Sequence, residues 1–229
     1  MYILIVVFFM ILSFAVRQRL KSKFRKYSRI RLNNNLSGRE IAELMLADHG
    51  IHDVRVLSVP GRLTDHYNPS DKTVNLSPEV YEGRSAAAAA VAAHECGHAV
   101  QHAKAYSMLE FRSTLVPLQN ISGQILNWLF IIMLFGGIFI MHVPYQPLLA
   151  VIVACYFVLT LFSFVTLPVE FDASKRALAW IEQRNIVTPA EHDMAKDALK
   201  WAAMTYVVVA IGSLVTLLYW ALRLLGSNE

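Results

Sequence analysis

The fold is decided by residues 113–169, STLVPLQNISGQILNWLFIIMLFGGIFIMHVPYQPLLAVIVACYFVLTLFSFVTLPV, which contain no Asp, Glu, Lys or Arg over 57 positions. About 20 apolar residues cross a bilayer as a helix, so this stretch is too long for one span. Pro144 and Pro147 lie near its middle and favour a turn there. The pattern therefore predicts a transmembrane hairpin, with helices near 115–141 and 148–168.

Two further apolar segments lie towards the ends of the chain. Residues 1–16 carry no charge and are followed by basic residues, whereas a signal peptide has its basic residues first, so we predict an uncleaved first span. Residues 201–222 are also free of Asp, Glu, Lys and Arg, and a fourth span is predicted over 201–225. Charged residues make up 17% of the chain, compared with about 25% in a typical soluble domain. The composition thus indicates an integral membrane protein.

Positive charge is concentrated directly after the first span. Residues 17–31 contain eight Lys or Arg and no acidic residue, inside a predicted basic juxtamembrane linker at 17–35. Basic runs are also typical of nucleic-acid arms, but the neighbouring apolar segment favours the lipid bilayer, and no nucleic acid is expected as a partner. Loops rich in Lys and Arg remain cytoplasmic. The alternation of spans then places residues 36–112 and 170–200 in the cytoplasm, and both chain ends outside the plasma membrane.

The first polar region, residues 36–112, mixes helix and strand patterns. The S-G-R-E sequence at 37–40 matches a capping box and predicts the start of a helix. Residues 63–67 and 72–76 flank a turn signal and predict a β-hairpin. A long helix is predicted to begin at Ser85 and to run through His102. This region is therefore expected to form a small α+β domain.

The second polar region, residues 170–200, is predicted to be helical on both sides of a turn near Asn185. Thr188, Pro189 and Glu191 form a start signal for a new helix. Because no break follows, this helix is expected to continue into the fourth span.

The sequence His94-Glu95-Cys96-Gly97-His98 lies inside the predicted long helix. An α-helix turns 100° per residue, so His94 and His98 share one face and can bind the same Zn²⁺ at about 2.0–2.1 Å. Glu95 lies about 100° round from His94, where it can act as general base on water activated by the metal. Cys96 points to the other side and is predicted to be a core residue. Gly97 costs about 1 kcal/mol relative to Ala in mid-helix, which indicates a close approach there.

A catalytic zinc site needs a third protein ligand and one open position. Glu170 is the first charged residue after the hairpin, and the hairpin returns it to the side of the membrane where the His94 helix ends. It is therefore the first candidate, although a carboxylate at the end of a span can also be a simple interfacial residue. Asp172, Glu110 and His102 are the alternative ligands that spacing leaves open.

Three segments together resemble the YugP-type neutral zinc metallopeptidases: Leu63-Thr64-Asp65-His66-Tyr67-Asn68-Pro69, Val91-Ala92-Ala93-His94-Glu95-Cys96-Gly97-His98-Ala99 and Glu170-Phe171-Asp172-Ala173-Ser174. The resemblance extends over nearly the whole chain, and it is more distant to HtpX and the CAAX prenyl proteases, which are membrane gluzincins. It implies that His94, His98 and Glu170 bind one zinc ion. Glu95 is then the catalytic residue. The distant relatives carry an Asp four residues after the ligand Glu, where this chain has Ser174, and a serine orients a histidine more weakly.

Together these patterns predict a mainly α integral membrane protein, with four transmembrane helices and a small α+β cytoplasmic zinc-protease domain. The expected reaction is hydrolysis of peptide bonds in membrane-associated or misfolded proteins. A scaffold that keeps zinc only for structure is the main alternative, but it needs no general base and usually closes its site with a fourth ligand. A metal transporter would place ionisable residues in its spans, whereas the apolar stretches 1–16, 113–169 and 201–222 contain no Asp, Glu, Lys or Arg.

Substrate is expected to bind along the edge of a strand, because an edge offers backbone N–H and C=O groups without any demand on side-chain identity. The predicted strand Lys72-Thr73-Val74-Asn75-Leu76 lies shortly before the His94 helix and follows a turn that would leave it near a sheet edge. Thr73, Val74 and Asn75 are therefore candidate substrate-binding residues. His66, in the Asp65-His66-Tyr67 segment, is a further candidate, and an ordinary structural hairpin is the alternative.

Overall fold

A computed structural model describes residues 1–135 and 145–226, and it is mainly helical. The turn predicted around Pro144 lies outside the described residues. In chain order the elements are α1 (Tyr2–Tyr27), α2 (Gly38–Asp48), β1 (Arg55–Ser58), β2 (His66–Asn68), β3 (Thr73–Leu76), α3 (Pro78–Tyr81), α4 (Ala86–Ala103), α5 (Ser107–Phe135), α6 (Tyr145–Gln183) and α7 (Pro189–Leu225). The chain divides into two compact units, one of Met1–Phe14, Phe111–Leu167 and Tyr206–Glu229, the other of Ala15–Glu110 and Pro168–Thr205.

The first unit contains the apolar parts of α1, α5, α6 and α7. These four helices are long and apolar enough to cross a membrane, which is the number of spans that the sequence predicts. Large apolar side chains such as Phe14, Trp128 and Phe130 are more than half exposed, as expected for a surface in contact with lipid. Helix α1 continues through the basic run as far as Tyr27, so the first part of the predicted linker is helical.

The second unit is built around a three-stranded sheet with the strand order β1-β3-β2. The hairpin of β2 and β3 is confirmed, with His66 opposite Asn75 in an antiparallel register. The expectation that Thr73–Leu76 lies at a sheet edge is wrong. The other side of β3 is covered by β1, which pairs with it in parallel, so β3 is the central strand and all four of its residues are buried. The edge strands are β1 and β2.

Helix α4 lies in the core of this unit, packed against α2. The capping box of α2 is confirmed: the Glu40 N–H donates to Ser37 Oγ at 3.3 Å, and the Ser37 N–H donates to Glu40 Oε2 at 2.7 Å. Helix α4 begins after Ser85, whose Oγ accepts from the Ala88 N–H. The alanines at positions 86–90 are all buried, and their small side chains allow the neighbouring elements to approach α4 closely.

Helix α6 crosses α4 at a glycine. A Cβ atom added to Gly97 would lie 2.6 Å from the backbone oxygen of Ala173, far inside van der Waals contact. The close approach indicated by a glycine in mid-helix is thus confirmed, and the neighbour is backbone. The contact brings the part of α6 that follows Glu170 against the face of α4 that carries the two histidines.

Candidate metal centre

Two imidazoles from α4 and one carboxylate from α6 converge in the second unit. One potential ligand atom from each of His94, His98 and Glu170 lies within 4.8 Å of the others. Glu170 Oε2 is 3.3 Å from His94 Nε2 and 3.7 Å from His98 Nε2. The two histidines stand one turn apart because they are four residues apart in a helix. Glu170 reaches them because Gly97 lets α6 lie directly on α4.

The donor set fits zinc. Two imidazole nitrogens and one carboxylate oxygen are a common set of protein ligands in catalytic zinc sites, which keep a fourth position open. The three side chains are shielded from solvent, and Glu170 is only 4% exposed. Among the described residues, the other candidates Asp172, Glu110 and His102 do not belong to a group that could hold a metal ion.

The carboxylate of Glu170 is stabilised as an anion. Burial acts to raise its pKa, but the hydrogen bonds and charges of His94 and His98 outweigh burial and hold the pKa well below its usual value. For His98, burial acts to lower the pKa, and the contacts with Glu170, together with the charge of Glu95, raise it overall. The centre therefore offers a negatively charged oxygen between two ring nitrogens, a donor set that suits a divalent cation.

Each histidine of the centre has a polar partner on its other ring nitrogen. Ser174 Oγ lies 3.1 Å from His94 Nδ1, and Gln101 Oε1 lies 3.0 Å from His98 Nδ1. These contacts leave both Nε2 atoms facing Glu170. A partner of this kind fixes the orientation of the ring and the nitrogen that stays free for a metal. Ser174, at the position for which the resemblance to the more distant families implies an Asp, thus contacts His94.

Gln101 is fully buried, and both ends of its amide are engaged. Its Nε2 donates to the backbone oxygen of Val169 at 2.7 Å and to Asp172 Oδ2 at 2.9 Å, while Arg176 Nε donates to the same Asp172 oxygen at 2.5 Å. These contacts turn Oε1 of Gln101 towards His98. Sequence reasoning missed Gln101, although its position three residues after His98 on the same helix face was an available signal.

Glu95 lies beside the three candidate ligands but does not belong to their group. Its side chain is buried, and burial raises the pKa of its carboxyl group, against the opposing charges of His94 and His98. The backbone N–H of Tyr67 donates to Glu95 Oε2 at 3.0 Å. The Tyr67 hydroxyl lies 2.8 Å from His102 Nδ1, so this histidine has a hydrogen-bond partner on β2. Strand β2 is therefore the strand next to the candidate base.

Of the four predicted substrate residues, His66 lies on β2 beside Tyr67, and Thr73, Val74 and Asn75 lie on the central strand β3. The Val74 side chain is fully buried in the core. Asn75 Nδ2 lies 2.8 Å from Thr73 Oγ1 and 3.3 Å from His66 Nε2, so the Asn75 side chain contacts both of these residues. In the part of the chain that the structure describes, no hydrogen bond or ion pair joins these four residues to the metal centre.

Cys96 and its neighbours complete the packing behind the site. The Cys96 side chain is fully buried, and its Sγ lies 3.6 Å from the backbone oxygen of Ala42 on α2. Burial raises the pKa of this thiol, so it stays protonated. Its predicted role as a core residue is confirmed.

These features define the class of the protein: a membrane protein with a donor set for zinc made of two helical histidines and a later glutamate. Over residues 2–225 the chain matches the family described as "Putative neutral zinc metallopeptidase". It is 35% identical over 218 residues to a Bacillus subtilis protein named "Putative membrane protease YugP", covering 95% of this chain and 94% of that protein. No solved structure matches it. The chain therefore belongs to the neutral zinc metallopeptidase family.

Proposed function

We propose that this protein is a membrane-embedded zinc metalloendopeptidase of the HExxH gluzincin type, acting on peptide bonds of membrane-associated or misfolded proteins. One observation carries the proposal: the buried Glu95 carboxylate lies beside His94, His98 and Glu170 without being one of the candidate ligands. A zinc site that serves only structure needs no such group. Membership of the metallopeptidase family supports the same conclusion.

The roles of the residues follow from their contacts. When bound, zinc polarises the scissile carbonyl and makes water easier to deprotonate. Glu95 would take the proton from that water and later pass it to the leaving amine. The Tyr67 N–H holds the carboxylate in place. Ser174 and Gln101 keep the two imidazoles turned towards the metal.

Strand β2 is the candidate for contact with the substrate backbone. In an antiparallel sheet, pairs of opposite residues alternate between pairs that exchange backbone hydrogen bonds and pairs that do not. The N–H of Tyr67, which lies opposite Val74 on β3, donates to Glu95 and so points away from β3, as in a pair of the second kind. The C=O of Tyr67 then also faces outward, as an acceptor for an extended peptide. Thr73, Asn75 and His66 line an open depression of about 400 Å³ on one face of the sheet, which we assign to substrate side chains. Val74 contributes only its packing.

The zinc site is proposed to face the cytoplasm at the plasma membrane. The support is the run of eight basic residues over 17–31, which lies next to the apolar part of α1. Such runs remain on the cytoplasmic side during insertion. The metal centre and the basic part of α1 both belong to the second unit.

The test uses the full chain purified in detergent, with fluorescein-labelled casein as an unfolded substrate. Glu95→Gln should keep its zinc and lose activity by about 10²–10⁴-fold, the usual effect of removing a general base. Glu43→Gln, which changes an exposed glutamate on α2, is the matched control and should behave as wild type. Full activity of Glu95→Gln would refute the mechanism. Loss of zinc from that variant would refute the division between base and ligands.

A further inference from the structure

A groove of about 640 Å³ lies between the segments of α6 and α7 that belong to the second unit. Its wall is mostly apolar and includes Phe171, Leu178, Leu199, Ala203 and Met204. Leu199 and Ala203 are buried at its base, whereas the Phe171 side chain is 49% exposed. The groove is thus an apolar surface that is open on one side.

Three exposed lysines line the same groove: Lys175 from α6, and Lys196 and Lys200 from α7. The only carboxylate in its lining is Glu182, which lies 3.9 Å from His192 towards the turn between the helices. Among the described residues no ion pair involves any of the three lysines. With three cations against one carboxylate, the groove is complementary to an anion.

The apolar and basic parts follow a definite order along the helices. Lys200 is the last charged residue before the charge-free stretch 201–222, and α7 continues through it without a break. Ala203 and Met204 lie within the first turn of that stretch. Phe171 follows the charge-free stretch 113–169 by two residues, on α6. The apolar end of the groove is therefore the end nearest the spans, and the lysines come next.

We propose that this groove binds an anionic phospholipid. The phosphate would lie among the three lysines, and an acyl chain would lie along the apolar end. A soluble anion would use the lysines but not the apolar wall, and a phospholipid uses both. Basic residues next to a span attract anionic lipids, and each of them adds to the preference for an anionic lipid over a neutral one. The groove also reaches Ser174, whose hydroxyl contacts His94, so the lipid would lie one side chain from the metal centre.

The test uses the full chain in phosphatidylcholine nanodiscs, with a trace of photoactivatable phosphatidylglycerol or phosphatidylcholine that carries the label on the same acyl chain. Cross-linked peptides are then mapped by mass spectrometry. Phosphatidylglycerol should label the peptides around Phe171 and Met204 at least about tenfold more than phosphatidylcholine does. Equal labelling by the two lipids would overturn the proposal, and this comparison needs no variant.

Two triple variants separate the groove from general basicity. Replacing Lys175, Lys196 and Lys200 with Gln should abolish the preference while zinc content stays at the wild-type level. The matched control replaces the exposed cations Lys21, Arg25 and Arg29 with Gln. These three line a separate depression near the C-terminal end of α1, and this variant should keep the lipid preference.

Retention of the preference by the groove variant would overturn the proposal. Displacement of the probe by a soluble glutamate-rich peptide, but not by excess unlabelled phosphatidylglycerol, would assign the groove to an acidic protein segment and would also overturn it. None of these readouts depends on proteolysis, so they stand or fall separately from the proposed peptidase activity.

Discussion

Oε1 of Gln101 accepts a hydrogen bond from Nδ1 of His98 across 3.0 Å, and the other end of the same amide is held by α6. The geometry of His98 therefore depends on α6, because the Gln101 amide is held by Val169, which lies 68 residues after Gln101 in the sequence. His94 depends on the same helix through Ser174. Helix α6 thus supplies one candidate ligand directly and orients the other two, so the candidate metal centre is a product of the packing between α4 and α6.

Replacing Gln101 with Leu should lower zinc affinity by about 10–100-fold, because His98 loses the acceptor that fixes its ring. Leucine has a similar volume, so the buried site stays filled. The measurement is competition for zinc with a chromogenic chelator, using the purified full chain. Gln183→Leu, at the exposed end of α6, is the control and should bind zinc as wild type does. Unchanged affinity in Gln101→Leu would show that His98 needs no orienting partner.

The third ligand is tested by comparing two carboxylates on α6. Glu170→Ala should remove most of the bound zinc, because a ligand is lost and the two histidines are left without their anionic partner. Asp172→Ala should keep zinc near wild-type occupancy, with affinity reduced by less than about tenfold, because Asp172 acts only through Gln101. Metal analysis of the two purified variants decides between them. The reverse result would move the ligand to Asp172.

Gly97→Ala should loosen the contact between α4 and α6. The added methyl group would meet the Ala173 backbone oxygen at 2.6 Å, and backbone cannot rotate away. Overpacking of this kind costs about 1–3 kcal/mol, and here the shift also moves Glu170 from the histidines. The temperature of thermal unfolding and the zinc affinity should both be lower than in wild type. Gly123→Ala on α5 is the control, because nothing lies within 4 Å of the added atom, and it should be neutral or stabilising. Wild-type zinc affinity in Gly97→Ala would contradict the packing argument.

The features that were predictable from sequence are those with local signals. The four predicted spans correspond to four long apolar helices because span length and charge are properties of a segment alone. The helix that carries His94 and His98 begins at its cap, Ser85, as expected. The close approach at Gly97 was also predictable, since a glycine in mid-helix needs a reason. The identity of the neighbour, Ala173, was not.

The features that were missed depend on long-range pairing. The strand Thr73–Leu76 was placed at an edge because its hairpin partner is local, whereas β1 pairs with it from 18 positions earlier and makes it central. A central strand has a neighbour on both edges, and the alternation of apolar and polar residues in its own sequence does not indicate the second neighbour. Gln101 was missed for a related reason. Its partners Val169 and Asp172 are brought to it only by the tertiary fold.

The side of the membrane that the zinc site faces is open to a direct test with single cysteines. The native thiols give little background, because Cys96 is fully buried and Cys155 is only 5% exposed. Ser70 lies exposed in the turn between β2 and β3 and accepts a Cys replacement without loss of packing. Loops rich in Lys and Arg remain cytoplasmic, and residues 17–31 contain eight of these residues, so we expect Ser70→Cys to react with a membrane-impermeant maleimide only after the cells are permeabilised. Gly226→Cys, directly after the end of α7, should react in intact cells and is the control for the opposite side, because nothing lies within 4 Å of an added Cβ atom there. Labelling of Ser70→Cys in intact cells, with protection of Gly226→Cys, would contradict the proposed topology and indicate that the zinc site faces outside.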